Sequence, residues 1–590
     1  MTIEESACLP RTSHQRLPGA DSNLFWGVTG ATLLMLLSLG FFLRGGVHGL
    51  YMDDYSMKAW AFDFGGHRWT LALTPFESLW TWRPLTYLLE PNLAKAIPGH
   101  EFFVRVGIVV IHFLNVCLLA RLGQRLSGSL LVGILCGGYF LFPVLANEGL
   151  LWFTAAVPDT FCLFFLLLGF HLLLSCRSLA DLALLICGIA SWFVMMTFYE
   201  SGLFILLLLP ASFAFTEGRR TNHKLWASAL AASFIPICIY LWLVVRNSPF
   251  IIARGGAKLD LSFILLRKVP EIARGLWWLI TAWGIFGPLH EAFNVGWREW
   301  LSVSGGRILI AGTLTGICLM ALLFAVDRDA TPSLSRLFKV ILFGLGWIVL
   351  GLAPIALARF QPVEIRTLYI PSAGFALAAA AFSGLIANLF GRPRAVLIRA
   401  TLGLAGAIVF LSSLTMAGLV RAYELRWYLD QRQVDALGQV MPMLPRLDPV
   451  WLLPVTLDEK TVGKSGGTEG KLDVYLDGVF ETPWSARDAL RLKFGDRNIL
   501  AVTANRWVKL HVSSVQTENG QPSTITIQDT TIPIEQLLAF TYRQGRLILL
   551  NPLGINTPDG KLSAIIDLPL VAKLAREGLG VEKVQFQLDH

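Results

Sequence analysis

The sequence predicts a polytopic α-helical membrane protein that carries a smaller C-terminal β-rich (α+β) domain. Apolar runs of about 20 residues, the length of a helix that crosses a bilayer, recur over the first two-thirds of the 590 residues. The mean hydropathy is +0.58 and 15% of the residues are charged, whereas soluble domains carry about 25%. After about residue 440 the apolar runs become short and alternate with polar residues, which is typical of strands.

Eleven apolar segments are predicted to span the membrane. They lie at 24–43, 103–120, 129–146, 153–175, 181–198, 202–216, 225–245, 306–326, 338–357, 368–390 and 400–420. No small-residue cleavage site follows the first segment, so we interpret it as a span and not as a signal peptide. The apolar run at 275–289 is short for a span and contains three tryptophans, so we predict an interfacial or re-entrant helix there.

Short basic turns orient these spans. They follow alternate spans and contain Arg121, Arg125, Arg177, Arg219, Arg220, Lys224, Arg328, Arg336, Lys339, Arg392, Arg394 and Arg399. The positive-inside rule places these turns in the cytoplasm, on the side of the N-terminus. The long loops 45–102 and 246–305, and everything after residue 421, are then outside. The second loop is itself basic, which either a misplaced span or a site for a phosphate-bearing lipid explains.

The composition divides the chain into four parts. Residues 1–22 are predicted to be a cytoplasmic tail and residues 23–421 the transmembrane domain. Prolines at 442, 445, 449 and 454 indicate a linker, which we place at 422–455. Residues 456–590 are predicted to form the outer β-rich domain, with strands in KLDVYLDG, NILAVTA, WVKLHVSSV, STITIQD and GRLILLN and a last helix at 569–578.

Charge and cysteine usage exclude several functions. Basic loops that face an anionic leaflet explain the net charge of +8, so no nucleic-acid partner is predicted. The sequence has no CxxC motif and no Cys/His cluster, so we predict no zinc or redox site and assign no metal ligands. No cofactor is certain, and a divalent cation stays open.

Two adjacent aspartates, Asp53 and Asp54, follow the first predicted span on the outer side. A solvated turn beyond a helix end is one explanation. The same loop also carries His67, Trp82 and Arg83 among many aromatic and polar residues, a mix that suits a sugar. A carboxylate there can accept the proton of a hydroxyl that attacks an anomeric carbon. In an extended segment the two aspartates point in opposite directions, so we expect different roles for them.

Three further acidic residues are candidates for binding a sugar or an acceptor. Glu148 follows the third predicted span, where a carboxylate can also simply reach out to water. Asp159 and Glu200 lie deeper in apolar sequence, and an ionisable group in a span indicates a functional site by default. The alternatives are that Asp159 only caps a helix after Pro158 and that Glu200 only lines a turn between two short spans.

Three arginines are candidates for binding a phosphate. A phosphate leaving group needs cations where negative charge builds up. Arg359 and Arg366 precede the tenth predicted span on the outer side, and Arg83 lies in the first outer loop. The alternative is that they are ordinary interfacial arginines.

Six sequence blocks, taken in order, resemble conserved blocks of the transmembrane tetratricopeptide-repeat O-mannosyltransferases and their bacterial relatives. The blocks are MDDYS, WRPLTYL, VVIHFLNVCLLARLG, LFPVLANEGLLWFTAAVPDTFCLFFLLLG, TFYESG and EIRTLYIPSAGF. More broadly, the chain resembles the GT-C class, which includes the protein O-mannosyltransferases and the lipid A aminoarabinose transferase. The resemblance covers residues 24–421 and implies a GT-C type transmembrane domain.

The resemblance implies a polyprenyl-phosphate sugar as donor and chemistry on the outer face. The acidic pair that holds the catalytic carboxylate in the family matches Asp53 and Asp54, and the acidic position after the third span matches Glu148. The arginine and tyrosine before a late span match Arg366 and Tyr369. The chain lacks the family's usual histidines before Glu148 and has a β-rich domain in place of the repeats. Both departures argue against protein mannosylation.

The sequence therefore predicts a glycosyltransferase in the bacterial cytoplasmic membrane. Its partners are a polyprenyl-phosphate-sugar donor, a glycan, lipid or protein acceptor, and membrane lipids. We expect the outer domain to recognise the acceptor or to shape access to it. Two other functions stay open, a transporter or flippase for a lipid-linked saccharide and a catalytically silent scaffold. A transporter typically has pseudo-symmetric halves with charges at mid-membrane, whereas the acidic and aromatic residues here collect in outer loops.

Overall fold

The structure is a computed structural model of the chain. It describes residues 53–63, 83–95, 100–176, 181–213, 223–247, 266, 269–273, 277, 290–301, 332–357, 365–389, 394–445, 449–454, 479–480, 482–495, 498–502, 512–519, 521–527, 530–543, 546–550, 553–556, 562–576 and 581–582. The first predicted span, the eighth, and nearly all of the run at 275–289 lie outside these residues.

Helices make up the described part of the chain before residue 440. They are α1 Asp53–Asp63, α2 Pro84–Lys95, α3 Glu101–Ser127, α4 Leu130–Leu141, α5 Glu148–Leu151, α6 Phe153–Ser175, α7 Leu182–Phe198, α8 Leu209–Phe213, α9 His223–Asn247, α10 His290–Leu301, α11 Leu334–Leu357, α12 Tyr369–Leu389 and α13 Arg394–Leu437. Short 3-10 turns lie at Val144–Ala146, Glu200–Gly202, Phe204–Leu208, Ile365–Leu368 and Met441–Met443.

Several of these helices are suited to cross a membrane. Within the described residues, five are long and apolar enough to span a bilayer, at Glu101–Ser127, Phe153–Ser175, Leu334–Pro354, Tyr369–Asn388 and Gly406–Met443. Shorter apolar helices lie at Leu130–Leu141, Leu182–Phe198, Glu200–Phe213 and Ala231–Trp242. These segments fall on predicted spans, so the chain is a multi-pass membrane protein.

The helices form one bundle in which α12 is a central member. It packs on α11 and on α4, while α3 packs on α4 and α6. Where α11 meets α12, a Cβ atom added at Gly374 would lie 2.7 Å from the carbonyl oxygen of Gly344. Small residues let two backbones approach closely, which is how helices associate where no hydrophobic effect operates between them.

Basic side chains gather at one end of the bundle. Arg336 donates from Nε to the carbonyl oxygen of Leu126, at 2.8 Å, and from Nη2 to that of Arg125, at 3.2 Å. Arg125 in turn donates from Nη1 to the carbonyl oxygen of His171, at 3.1 Å. The carbonyl groups of Arg125 and Leu126 lie in the last turn of α3, where they have no partner within their own helix, and Arg336 satisfies both. The N-termini of α3, α6 and α12 lie at the opposite end, since all three helices run the same way from it.

The C-terminal region combines strands with two helices. Its elements are β1 Val450–Pro454, α14 Pro483–Phe494, β2 Ile499–Ala501, β3 Val512–Glu518, β4 Gln521–Ile527, β5 Thr530–Pro533, β6 Leu537–Arg543, β7 Arg546–Leu550, β8 Leu553–Asn556, β9 Leu562–Ile566, α15 Pro569–Arg576 and β10 Val581–Glu582. The main sheet has the order β10-β7-β6-β1-β2, with β3-β4-β5 and β8-β9 as separate small sheets.

Two features of this region differ from the predicted linker at 422–455. Helix α13 continues without a break to Leu437, and the segment rich in proline contains β1. This strand lies inside the main sheet, parallel to both β2 and β6. Three of the four prolines precede β1 and the fourth, Pro454, is its last residue, so none of them interrupts the strand. Helix α14 connects β1 to β2 as a parallel crossover.

Candidate functional site

Asp54 lies on the first turn of α1 and is buried against the N-terminus of α6. Its Oδ1 accepts a hydrogen bond from the backbone N–H of Thr154, at 2.9 Å, and another from the Thr154 hydroxyl. The first N–H groups of a helix lack partners within that helix and attract negative charge. Asp54 therefore caps α6 from another element. Arg105, on the first turns of α3, lies close enough for its charge to act on Asp54.

The prediction of an extended segment around Asp53 and Asp54 is wrong. Both residues belong to α1, so their directions differ by about 100° and not by half a turn. The structure describes only the backbone of Asp53, at the first position of the helix.

Arg83 and Glu200 form a bidentate ion pair. Arg83 donates from Nε to Oε2 of Glu200, at 2.8 Å, and from Nη2 to Oε1, at 2.5 Å. The guanidinium also lies 4.3 Å from the centre of the Tyr199 ring, a cation–π contact. Arg83 precedes α2 and Glu200 begins the turn after α7, so the contact joins positions 117 residues apart. The structure thus brings together a predicted phosphate ligand and a predicted sugar ligand.

Tyr369 is fully buried at the start of α12, in a polar network. His112 has Nε2 3.0 Å from the carbonyl oxygen of Leu141, which can only accept a hydrogen bond. We therefore assign the ring proton to Nε2, and the Tyr369 hydroxyl donates to Nδ1 of His112 at 2.7 Å. Asn115 donates from Nδ2 to the Tyr369 hydroxyl, at 3.4 Å, and to the carbonyl oxygen of Thr160, at 2.8 Å.

Asp159 lies beside this network. A Cβ atom added at Gly149 would lie 2.7 Å from Cβ of Tyr369 and 2.8 Å from Oδ2 of Asp159, so only glycine fits between them. Glu148, the neighbour of Gly149, is half-buried. Asp159 is buried in the interior of α6, several residues past its start, which excludes the alternative that it caps a helix after Pro158.

Tyr199 connects the two groups of side chains. It lies within electrostatic range of Asp159 and of the pair Arg83 and Glu200. Cys162, one turn after Asp159 on α6, donates from Sγ to the Tyr199 carbonyl oxygen at 3.3 Å. In addition, α1 packs on α2, which Arg83 precedes. Carboxylates, a guanidinium and aromatic rings therefore collect at one end of the bundle, opposite the basic turns.

The remaining predicted residues are described in part or not at all. Arg366 lies in the turn Ile365–Leu368 directly before Tyr369, with only its backbone described. His67, Trp82 and Arg359 lie outside the described residues. Among the residues that are described, no three His, Cys, Asp or Glu side chains come together as a metal site.

Sequence reasoning missed several residues of this site. His112 and Asn115 could have been found, because they are polar residues inside an otherwise apolar predicted span. Thr154 gave no signal, because a threonine at a helix start is ordinary and its partner lies 100 residues away.

The C-terminal region touches the helix that carries Asp54. Helix α14 packs on α1, and the Tyr55 hydroxyl accepts a hydrogen bond from Nε2 of Gln431 on α13, at 2.8 Å. Burial raises the pKa of the Tyr55 hydroxyl, and the carboxylate of Asp430 raises it further. Asp430 itself accepts at Oδ1 from the backbone N–H of Val479, at 3.1 Å. Asp54 thus contacts α6, whereas Tyr55 contacts the end of α13, where Asp430 bonds to the C-terminal region.

No family model matches the sequence, and no curated protein matches it. Among solved structures, the chain is similar to the crystal structure of ArnT from Cupriavidus metallidurans bound to undecaprenyl phosphate, with 15% identity and a TM-score of 0.32 over 84% of this chain and 97% of that one. It is also similar to the crystal structure of ArnT from Cupriavidus metallidurans in the apo state, with 14% identity and a TM-score of 0.32 over 74% of this chain and 83% of that one.

Proposed function

We propose that the chain is a membrane glycosyltransferase of the GT-C class. It transfers one sugar from a polyprenyl-phosphate donor to an acceptor hydroxyl at the outer face of the cytoplasmic membrane. The observation that carries this proposal is the contact between Arg83 and Glu200. In such a donor a phosphate oxygen is bonded directly to the anomeric carbon, so a cation for the phosphate and a carboxylate for the sugar must lie side by side.

Asp54 is the proposed general base, with its neighbour Asp53 as the other candidate. The acceptor oxygen attacks the anomeric carbon and gives its proton to the aspartate, while the bond between that carbon and the phosphate oxygen breaks. The electron pair of the broken bond leaves with the polyprenyl phosphate. The two hydrogen bonds from Thr154 hold Oδ1 of Asp54 in place, which fixes the direction of the carboxylate during the transfer.

Arg83 binds the phosphate and stabilises the charge that develops on it. Its fork of N–H groups suits phosphate oxygens, and the bonds to Glu200 leave further N–H groups on Nη1 and Nη2. Arg366, Arg359 and Tyr369 are proposed to complete the phosphate site. Glu148, Asp159, His67 and Trp82 are proposed to contact the sugar or the acceptor.

The outer location is supported by the opposite placement of charges in the bundle. Arg125 and Arg336 lie at one end, while Asp54 and Glu200 lie at the other. Basic residues mark the cytoplasmic side of a membrane protein, so the end with the carboxylates faces outward. The C-terminal region follows α13 and packs on α1, and we propose that it also receives the acceptor.

The test incubates membranes that contain the protein with radiolabelled polyprenyl-phosphate sugars and then identifies the labelled product. A glycosyltransferase forms a new glycosidic bond, so the label should move to a glycan, lipid or protein. Membranes from cells without the protein are the control. Label that crosses the bilayer but stays on the polyprenyl phosphate would instead identify a transporter, and label that does neither would identify a scaffold.

A further inference from the structure

Tyr240 carries a buried hydroxyl that the proposed mechanism does not use. It lies on α9, and the residue is 4% exposed. Within the described part of the chain, this hydroxyl has no hydrogen-bond partner. Two other buried tyrosines of the bundle have such partners, since Tyr139 contacts the Ser383 hydroxyl at 3.0 Å and Tyr369 donates to His112. Buried hydroxyls are nearly always satisfied, because an unsatisfied one loses its bonds to water without replacement.

The surroundings of Tyr240 contain the ion pair of the proposed donor site. Glu200 and Arg83 lie within electrostatic range of its hydroxyl, together with Tyr87 and Tyr199. Helix α9 reaches this place because it packs on α7 and on the turn Phe204–Leu208, which follows Glu200. A hydroxyl without a hydrogen-bond partner among the described residues thus lies within electrostatic range of a guanidinium that has further N–H groups to offer. A group rich in acceptors, such as a phosphate, satisfies both.

We propose that Tyr240 is a ligand-binding residue and that its hydroxyl donates a hydrogen bond to the phosphate of the lipid-linked donor, beside Arg83. This inference rests on the proposed function and adds to it a residue from α9. Tyr240 can make this bond without giving up a bond to any residue that the structure describes. Tyr369, by contrast, must exchange its bond to His112 before it can bind a phosphate.

The experiment compares Tyr240→Phe with Tyr139→Phe in the purified full-length protein. Both changes remove one buried hydroxyl and keep the ring. The probes are undecaprenyl phosphate and undecaprenol, which share a tail and differ in the phosphate, and the readouts are the Kd of each probe and the Tm without a probe. We expect Tyr240→Phe to weaken undecaprenyl phosphate binding about tenfold, the loss of one hydrogen bond to a charged group. Its Kd for undecaprenol should not rise, and its Tm should not fall.

The control, Tyr139→Phe, should lower the Tm and leave both Kd values unchanged, because its hydroxyl already bonds to Ser383. An unchanged Kd for undecaprenyl phosphate in Tyr240→Phe overturns the inference, and so does an equal loss for both probes. A lower Tm in Tyr240→Phe also overturns it, because the hydroxyl would then have a structural partner. If the wild type binds undecaprenol but not undecaprenyl phosphate, the proposed function fails and this inference fails with it.

Discussion

Two arginine–carboxylate pairs in this protein have the same chemistry and different surroundings. Arg83 and Glu200 join distant parts of the chain at the end of the bundle, and both carboxylate oxygens accept from the guanidinium. Arg426 and Asp430 are one turn apart on α13, and Nε and Nη2 both donate to Oδ1, at 2.9 and 2.6 Å. The same Oδ1 also accepts from the backbone of Val479 in the C-terminal region.

We propose that the first pair is functional and that the second is architectural. The first pair lies within electrostatic range of Tyr240, whose hydroxyl has no hydrogen-bond partner among the described residues, and we propose that this pair binds a ligand. The second pair bonds to the backbone of the region that it holds in place. We therefore expect changes at the first pair to alter binding and transfer, and changes at the second to alter stability.

The largest effect is expected from Asp54→Asn, which tests the chemistry at the end of the bundle where the first pair lies. Asparagine is nearly isosteric and still accepts from Thr154, but it cannot take a proton. If Asp54 is the base, the rate of sugar transfer should fall about 10²- to 10⁴-fold, the usual contribution of general base catalysis. The assay is transfer from a radiolabelled polyprenyl-phosphate sugar. Asp53→Asn, made alongside, decides between the two aspartates, and wild-type rates in both variants would show that the base lies elsewhere.

Matched arginine-to-lysine changes in the two pairs sharpen the comparison. Lysine keeps the charge but loses the planar fork of donors. Arg83→Lys should weaken binding of undecaprenyl phosphate about 10- to 100-fold, since hydrogen bonds to a charged group are lost. Arg426→Lys should leave that Kd unchanged and lower the Tm. If the two variants gave the opposite pattern, the assignment of the pairs to function and to architecture would be reversed.

The sequence predicted most of the helical part because each span is a local signal. An apolar run of sufficient length is recognisable without knowledge of its neighbours, as at Phe153–Ser175, where prediction and helix coincide. Sequence analysis also identified Arg83, Glu200 and Tyr369 as candidate residues of the site.

What the sequence could not predict was which residues meet. Arg83 was assigned to the phosphate and Glu200 to the sugar separately, and only the fold brings them together over 117 residues. The same limit explains the C-terminal region, which we predicted to begin after a proline-rich linker. Its strand β1 is too short to stand out among prolines, and its contact with α1 through α14 has no local signal.

Asp430→Asn tests the architectural pair directly. Asparagine can still accept from Val479 but no longer carries the negative charge that pairs with the buried Arg426. We expect the free energy of unfolding to fall by about 3–5 kcal/mol, the usual cost of removing one charge from a buried pair, measured as a lower Tm in detergent. The matched control is Glu424→Gln in the neighbouring pair with Arg421, whose side chains are 30% and 37% exposed. That change should cost about 0.5 kcal/mol or less. Equal effects of the two changes would mean that Asp430 contributes no more to stability than the exposed Glu424 does.

The smallest expected effect is that of Lys493→Gln, at the surface where α14 meets α13. Lys493 of α14 pairs with Asp435 of α13, and the two side chains are 38% and 56% exposed. Water and salt screen such a pair, so its loss should lower the stability by at most about 1 kcal/mol, and the difference from wild type should vanish at about 1 M salt. The buried contacts of Ala486, Ala489 and Leu490 on α14 are not screened. Melting curves at low and high salt measure both contributions. A large loss that salt abolishes would show that surface charge, and not Asp430 with the packing of α14, holds the C-terminal region against α1.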